Sequence, residues 1–253
     1  ELAQELNLGL DSFVFVDDDP FQQEAVRKVL PMVTVIPPHF LESYSGFCNF
    51  NITTEDAQRG QMYASEKQRR EMQVSLGSVD DFLRELNMEV IIKPADDFSI
   101  ARIAQLTQKT NQFNLTTRRY SEQDINRFVQ SGWRIWSVSA RDKFGGYGII
   151  GVGIIEPKGL TWRIDTFLLS CRILGRAVEQ AFLAHIINQA RAYDVQAIEG
   201  EFVATAKNEP CKFFYDTNGW DVINSGGERK LYRYSIANNQ GLSYPRFLKV
   251  VSA

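Results

Sequence analysis

Two apolar, strand-like runs, Trp133–Ser139 and Gly148–Ile155, flank the short stretch Asp142-Lys143-Phe144-Gly145-Gly146. That stretch reads as a hairpin loop, so the two runs pair antiparallel. Strand and helix patterns alternate around this pair. Glu89–Ile92 reads as a strand, and Ile100–Thr107 and Glu122–Val129 read as helices. Leu160–Leu168 is a strand with Asp165 inside it, and Arg176–Tyr193 is a long helix. A strand (Ala197–Phe202), a helix (Pro210–Asn218) and strands around Val222–Ile223 and Lys230–Tyr234 follow. The fold class is therefore α/β, with a mixed, mainly antiparallel sheet and flanking helices. With 253 residues, 44% of them hydrophobic, the chain suits one large or two modest domains with real cores.

The N-terminal part has a different pattern. Phe13-Val14-Phe15-Val16 reads as a strand buried on both faces and ends in Asp17-Asp18-Asp19-Pro20. A helix over Gln22–Leu30 and a strand over Val33–Ile36 complete a β-α-β unit, stopped by Pro37-Pro38. That unit is too small to be a domain alone. The chain begins at Glu1, with Leu2, Leu6 and Leu8 reading as the tail of a helix closed near Gly9. An upstream segment is expected. Thr53 and Asp56 look like a helix-capping box, and a polar helix is expected over Glu55–Val74, then a shorter one over Val79–Leu86 carrying Phe82, Leu83 and Leu86. The expected boundaries are residues 1–52, a helical linker over 53–87, a second module over 88–236, and a C-terminal tail over 237–253.

The net charge of -3 conceals two unlike parts. Residues 1–97 carry 18 Asp and Glu against 8 Lys and Arg, and residues 98–253 carry 13 against 20, balances of -10 and +7. The basic part should prefer an anionic partner: a phosphorylated cofactor, an acidic protein or nucleic acid. No run approaches the roughly 18 apolar residues of a membrane span, and no secretory signal opens the chain. The three cysteines, Cys48, Cys171 and Cys211, form no metal-ligand pair and no even disulfide framework, so a reduced, cytoplasmic setting is the simplest reading.

Three segments can carry chemistry. Asp17 and Asp18 stand at the carboxyl end of an apolar strand, where two carboxylates suit a hard cation such as Mg2+. The same residues serve equally as an acidic turn before a helix. Ser170 to Ala177 lies between a strand and the longest helix, and no Asp or Glu occurs from 166 to 178. A glycine turn at a helix start exposes backbone N–H groups, and Arg172 and Arg176 add charge, so an anion is favoured. The competing reading is an ordinary turn closed by Gly175. Third, Gln105–Arg119 holds Lys109, Thr110, Asn111, Gln112, Asn114, Thr116 and Arg118 among its hydrogen-bonding groups, with no acid. It suits a polar, hydroxylated ligand or the amides of a pantetheine arm, or is a polar loop between helices.

Phe15-Val16-Asp17-Asp18-Asp19-Pro20 resembles the last acidic motif of haloacid-dehalogenase-type phosphatases, where an Asp pair helps hold Mg2+. No Asp-x-Asp nucleophile motif precedes residue 17, so only Asp17 and Asp18 carry over, as Mg2+ ligands. Residues 1–52 then read as a truncated haloacid-dehalogenase-like βαβ remnant. Arg172-x-x-Gly175-x-Ala177 resembles the pyrophosphate-binding loop of GNAT-type acyltransferases, and the element order over 88–236 fits a GNAT-like domain. That resemblance implies that Arg172, Gly175, Arg176 and Ala177 bind the phosphates of coenzyme A or a phosphopantetheine arm. It places Asn208 and Tyr215 near the pantetheine or the leaving thiol, although Tyr215 also fits a core beside Phe213 and Phe214. Phe15–Pro20, Gln105–Arg119, Arg141–Gly145 and Ile164–Arg172 together closely resemble FkbH-like proteins over about residues 1–236.

That family resemblance implies transfer of a glyceryl unit, from a small phosphorylated three-carbon substrate such as 1,3-bisphosphoglycerate, onto an acyl carrier protein for polyketide extender units. It implies Cys171 as the thioester-forming nucleophile. Cys171 is expected at a helix N-terminus beside Arg172, and both features lower a thiol pKa. Asp165 would orient a substrate hydroxyl or act as a base, or make a strand-end polar contact. His185 reads as a packed histidine, and Cys48 and Cys211 as structural. The basic balance of the second module fits an acidic carrier; nucleic acid fits poorly because there is no basic run, and no membrane is implied. A GNAT N-acetyltransferase using acetyl-CoA and a non-catalytic carrier-docking module are the other readings.

Overall fold

The computed structural model describes residues 2–3, 9–47, 59–237, 239 and 241–252. Cys48, the Leu6 and Leu8 helix tail, the Thr53–Asp56 capping box and the expected helix start at Glu55 lie outside them. The chain divides into two units, Glu1–Ala57 and Gln58–Ala253.

In the first unit, β1 (Val14–Val16), α1 (Pro20–Val29) and β2 (Thr34–Ile36) form the expected β-α-β, with β1 and β2 parallel and Val14 opposite Thr34. The helix starts two residues early because Asp19 accepts a hydrogen bond from the Phe21 N–H at 2.8 Å and Pro20 takes the first helical position. The expectation that β1 is buried on both faces is corrected: Val14 and Phe15 are half-buried and Val16 is exposed. One helix covers only one face of a two-stranded sheet.

The second unit opens with α2 (Arg59–Leu76) and α3 (Val79–Glu85). These are no linker: Phe82, Leu83 and Leu86 are buried in its main core. Next come β3 (Glu89–Pro94), α4 (Ile100–Lys109), β4 (Phe113–Asn114) and α5 (Glu122–Gln130). A Ser121–Asp124 capping box starts α5. The hairpin β5 (Arg134–Asp142) and β6 (Gly145–Lys158) is as expected, followed by β7 (Thr161–Leu169), α6 (Val178–Ala192) and β8 (Ala197–Val203). The expected helix Pro210–Asn218 shrinks to a turn at Glu209–Cys211 and the one-turn α7 (Phe214–Thr217). Last are β9 (Asp221–Gly226), β10 (Arg229–Ser235) and β11 (Lys249–Ser252). The expected tail thus supplies a strand, since β11 pairs parallel with β3.

The sheet runs β11-β3-β5-β6-β7-β8-β10-β9, with β4 on β7. Only β11–β3 and β7–β8 are parallel, so the mixed, mainly antiparallel class with flanking helices holds, the arrangement a GNAT-like resemblance implies. One face packs on α6 through Phe182, Ile186 and Phe167; the other packs on α4 and α5 through Ile103, Ile125, Ile154 and Leu168. Gly153 in β6 is required there, because a Cβ would lie 2.8 Å from the Phe182 ring. No helix among the described residues is long and apolar enough to cross a membrane.

Strands β7 and β8 position the site. They pair only over Thr161–Ile164 and Ala197–Gly200, then diverge. The chain's own segment fills the opening: Leu115 N–H donates to Phe167 O at 3.1 Å, and Val203 N–H donates to Leu115 O at 2.8 Å. The opening thus satisfies its backbone internally.

Candidate functional site

The segment after β7 turns sharply. Ser170 N–H donates to Ile150 O at 2.7 Å, and Cys171–Ile173 forms a single 3-10 turn. Gly175 (φ 75°) and Ala177 (φ 57°) are left-handed, and α6 begins at Val178. For alanine that conformation costs about 1 kcal/mol, so the turn is imposed by its surroundings. Ala177 brings no side-chain cap, and in the first turn of α6 the half-buried Glu179 carboxyl lies on its own backbone N–H. Arg176 is buried: one terminal nitrogen donates to the Arg172 carbonyl, the other to the Glu66 carboxylate at 3.1 and 3.3 Å, and its Nε has no partner. Arg172 is half-buried, with its guanidinium on Ser170 Oγ and the Met62 sulfur.

The expected activation of Cys171 is corrected. The thiol lies in the 3-10 turn, well before the helix start, and burial pushes its pKa up against the opposing charge of Arg172. Cys211 is structural as expected, buried, with its thiol donating to Asn208 O at 3.2 Å and pushed up to about 11 by burial.

Asp165 occupies a bulge in β7, where Ile154 faces Thr166 and Ile155 faces Ile164. The bulge aims its carboxylate at the segment before α5. It accepts from the Tyr120 hydroxyl at 2.7 Å, from the Thr166 hydroxyl at 2.9 Å and from Arg118. Burial and that carboxylate hold the Tyr120 phenol well above the usual tyrosine range. Arg118 also donates to Glu201 at 2.7 Å, and Arg163 reaches Glu201 at 3.4 Å. Asp165 is therefore an ion-paired, multiply hydrogen-bonded carboxylate, suited to holding Arg118 and Tyr120 in place.

The amide-rich segment divides in two. Thr110, Asn114 and Thr116 are buried and spent on structure: Asn114 Nδ2 donates to Thr110 O at 3.1 Å, its Oδ1 accepts from Thr117 N–H at 2.8 Å, and the Thr116 hydroxyl donates to Asp165 O at 2.9 Å. Lys109 and Gln112 are exposed, and Asn111 is half-buried against Arg119.

Asn208 and Tyr215 serve the interior. Asn208 is fully buried, donates to Asn114 O at 3.0 Å and Val203 O at 2.9 Å, and accepts from Thr205 N–H at 2.8 Å, so both its amide protons are used. Tyr215 is 1% exposed among Phe214, Trp220 and Tyr232. It lies on Gly200, where a Cβ would come within 2.4 Å of its ring. His185 is packed as expected, edge-on to Trp136 at 5.4 Å, and burial lowers it to about 4.

Sequence reasoning missed the network beside the loop. Arg69 of α2 donates to both Asp142 oxygens at 2.7 and 2.9 Å and lies 4.0 Å over the Tyr147 ring. The Tyr147 hydroxyl donates to the same carboxylate at 2.7 Å. Although burial works to raise it, hydrogen bonds from Arg69 and Tyr147 hold the Asp142 carboxyl below its ordinary value. Ser65 donates to Phe144 O at 2.9 Å, and a cavity of about 270 Å³ lined by Gln61, Met62, Ser65 and Gly145, Gly146 and Gly148 adjoins it. The available signal was spacing: Met62, Ser65, Glu66 and Arg69 share one helix face.

The phosphate-binding fit is therefore partial. The loop backbone and Arg176, with its orphaned Nε, suit an anion; the Asn208 amide is committed elsewhere, and the Tyr215 ring is packed in the core with its hydroxyl buried and without a partner. Mg2+ at Asp17 and Asp18 is not supported. Asp17 Oδ1 accepts from Asp19 N–H at 2.8 Å, which makes the acidic run a turn before α1, and no group of three potential ligands occurs among the described residues.

No protein-family model matches the chain, and no curated protein matches its sequence. Solved structures resemble it in fold. The ribosomal-protein-S18-alanine N-acetyltransferase from Escherichia coli is 11% identical with TM-score 0.46, over 58% of this chain and 94% of that one. A putative GNAT-family acetyltransferase from Desulfovibrio desulfuricans is 13% identical with TM-score 0.44, over 58% and 99%. A GNAT-family acetyltransferase from Staphylococcus aureus is 11% identical with TM-score 0.45, over 58% and 99%. At these values the likenesses assign neither ligand nor activity.

Proposed function

We propose that the chain is an acyltransferase whose acyl group travels on a phosphopantetheine thiol, of coenzyme A or of a carrier protein. The observation that supports this is the Arg172–Ala177 loop, with two left-handed residues and a buried arginine at the start of a 15-residue helix. The loop would hold the ligand's phosphate on backbone N–H groups and Arg176. Asp165 would hold Arg118 and Tyr120 in place. The finer reading, taken from the FkbH-like motifs, is loading of a glyceryl unit onto an acyl carrier protein.

A second reading, N-acetyl transfer from acetyl-CoA to an amine, is favoured by Cys171. A thiol whose pKa is raised by burial is a poor nucleophile, and direct transfer to an amine needs none. One experiment separates the readings. The full chain is incubated with holo-carrier and 1,3-bisphosphoglycerate, or with acetyl-CoA and polyamine or peptide amines, and intact masses are read. A glyceryl thioester on the carrier supports the first reading and an acetylated amine the second. Loading that survives in Cys171→Ser rules out the covalent cysteine route. Failure of coenzyme A and holo-carrier to bind at all would sink both.

A further inference from the structure

We infer that Glu66 of α2 is an internal competitor for the anion seat of the Arg172–Ala177 loop. The inference rests on the reading of that loop as the seat of a phosphate-bearing ligand. Arg176 is the only loop cation buried to nine-tenths, and its position on the loop is fixed by the bond to the Arg172 carbonyl. Its outward nitrogen is taken by both Glu66 oxygens, at 3.1 and 3.3 Å. The carboxylate therefore occupies a guanidinium nitrogen that a phosphate oxygen would otherwise take. The Nε left without a partner shows that Glu66 satisfies Arg176 incompletely.

Glu66 is held there by α2. One turn on, Arg69 reaches Glu66 at 3.4 Å and is pinned to Asp142. One turn back, Met62 lies against Arg172. The helix is fixed, but the Glu66 side chain is a quarter exposed, so it can leave Arg176 without α2 leaving its seat. Around the loop stand the guanidinium groups of Arg69, Arg172 and Arg176 and the carboxyl groups of Glu66, Asp142 and, in the first turn of α6, Glu179. Displacing Glu66 therefore raises the positive charge offered to an incoming anion as well as freeing its partner.

The test uses the full chain and coenzyme A as probe, by titration calorimetry at low ionic strength. Glu66→Gln and Glu66→Ala are expected to bind about tenfold more tightly than the wild type, and Arg176→Gln to bind more weakly. In the wild type, the Glu66 carboxyl carbon resonance should move toward that of a solvated glutamate as coenzyme A is added. That second measurement stands even where a variant fails to fold. Unchanged or weaker binding by both folded Glu66 variants, with Arg176→Gln weaker than wild type, overturns the competitor and leaves the loop as the seat. A Glu66 resonance that does not move on saturation overturns it likewise. Binding unaffected by Arg176→Gln, or no binding by any variant, overturns the seat itself and the competitor with it.

Discussion

Removing the Asp142 carboxylate should cost the second unit far more than removing any exposed ion pair. The Arg69 guanidinium is 2% exposed and makes its two short bonds to Asp142. In Asp142→Ala it keeps only Glu66 and the Gly145 carbonyl, both at 3.4 Å, and the Tyr147 ring. A buried charge stripped of its partner costs about 3–5 kcal/mol. Arg69→Met should cost less, because the stranded carboxylate still accepts from the Tyr147 hydroxyl at 2.7 Å and the Phe144 N–H at 2.9 Å. The double variant should be more stable than the sum of the two by roughly 2 kcal/mol or more, since it leaves neither charge alone. Urea denaturation followed by far-ultraviolet circular dichroism measures all three, and for a unit of this size each kcal/mol moves the thermal midpoint by about 2–4 °C. The pair also sets an acid limit. A depressed folded pKa contributes stability above the unfolded value of 3.8 and loses it as pH falls below that value through the folded one. If Asp142→Ala loses under 1 kcal/mol, or the two single losses simply add, α2 is not anchored as described.

Two further outcomes follow from burial. His185 is lowered from 6.5 to about 4, so the unfolded chain takes a proton that the folded one refuses; stability should fall by roughly 3 kcal/mol as pH drops from 6.5 to 4. Titrated by urea unfolding at several pH values, His185→Leu should flatten that slope, and an unchanged slope would rule the histidine out. Cys171 should react with iodoacetamide at pH 7.5 several-fold more slowly than an unhindered thiol, measured by peptide mass spectrometry over time. Faster labelling would restore it as an activated nucleophile.

Much of the fold could be read from local pattern. The β5–β6 hairpin, β7 and α6 are long, periodic and apolar, and they lie where the sequence places them. The site was harder. The positions of Arg172, Gly175 and Ala177 in the turn were legible, because a strand, a glycine and a helix follow in order. The helix starts at Val178, two residues later than its pattern suggests, because Gly175 and Ala177 are left-handed. What no local pattern carries is pairing across the chain. Arg69 meets Asp142 from 73 residues away and Glu66 meets Arg176 from 110, so the polar helix α2 packs beside the candidate loop. Asn208 likewise looks available until the neighbours that consume its amide are in place.

The filled opening between β7 and β8 bears on how the molecule is made. Leu115 bonds to Phe167 and to Val203, closing loops of roughly 50 and 90 residues. Such distant contacts form slowly. On the ribosome, Leu115 emerges long before either partner, and β8, whose Val203 N–H donates to its carbonyl, follows β7 in the sheet. The amide-rich segment can therefore pair with β7 first, through Phe113, Asn114, Leu115 and Thr116, but the Leu115 carbonyl must wait for β8. Filling of the opening between β7 and β8 is then complete only once Val203 has been made, and a chain cut short before it would lack the bond that closes that opening.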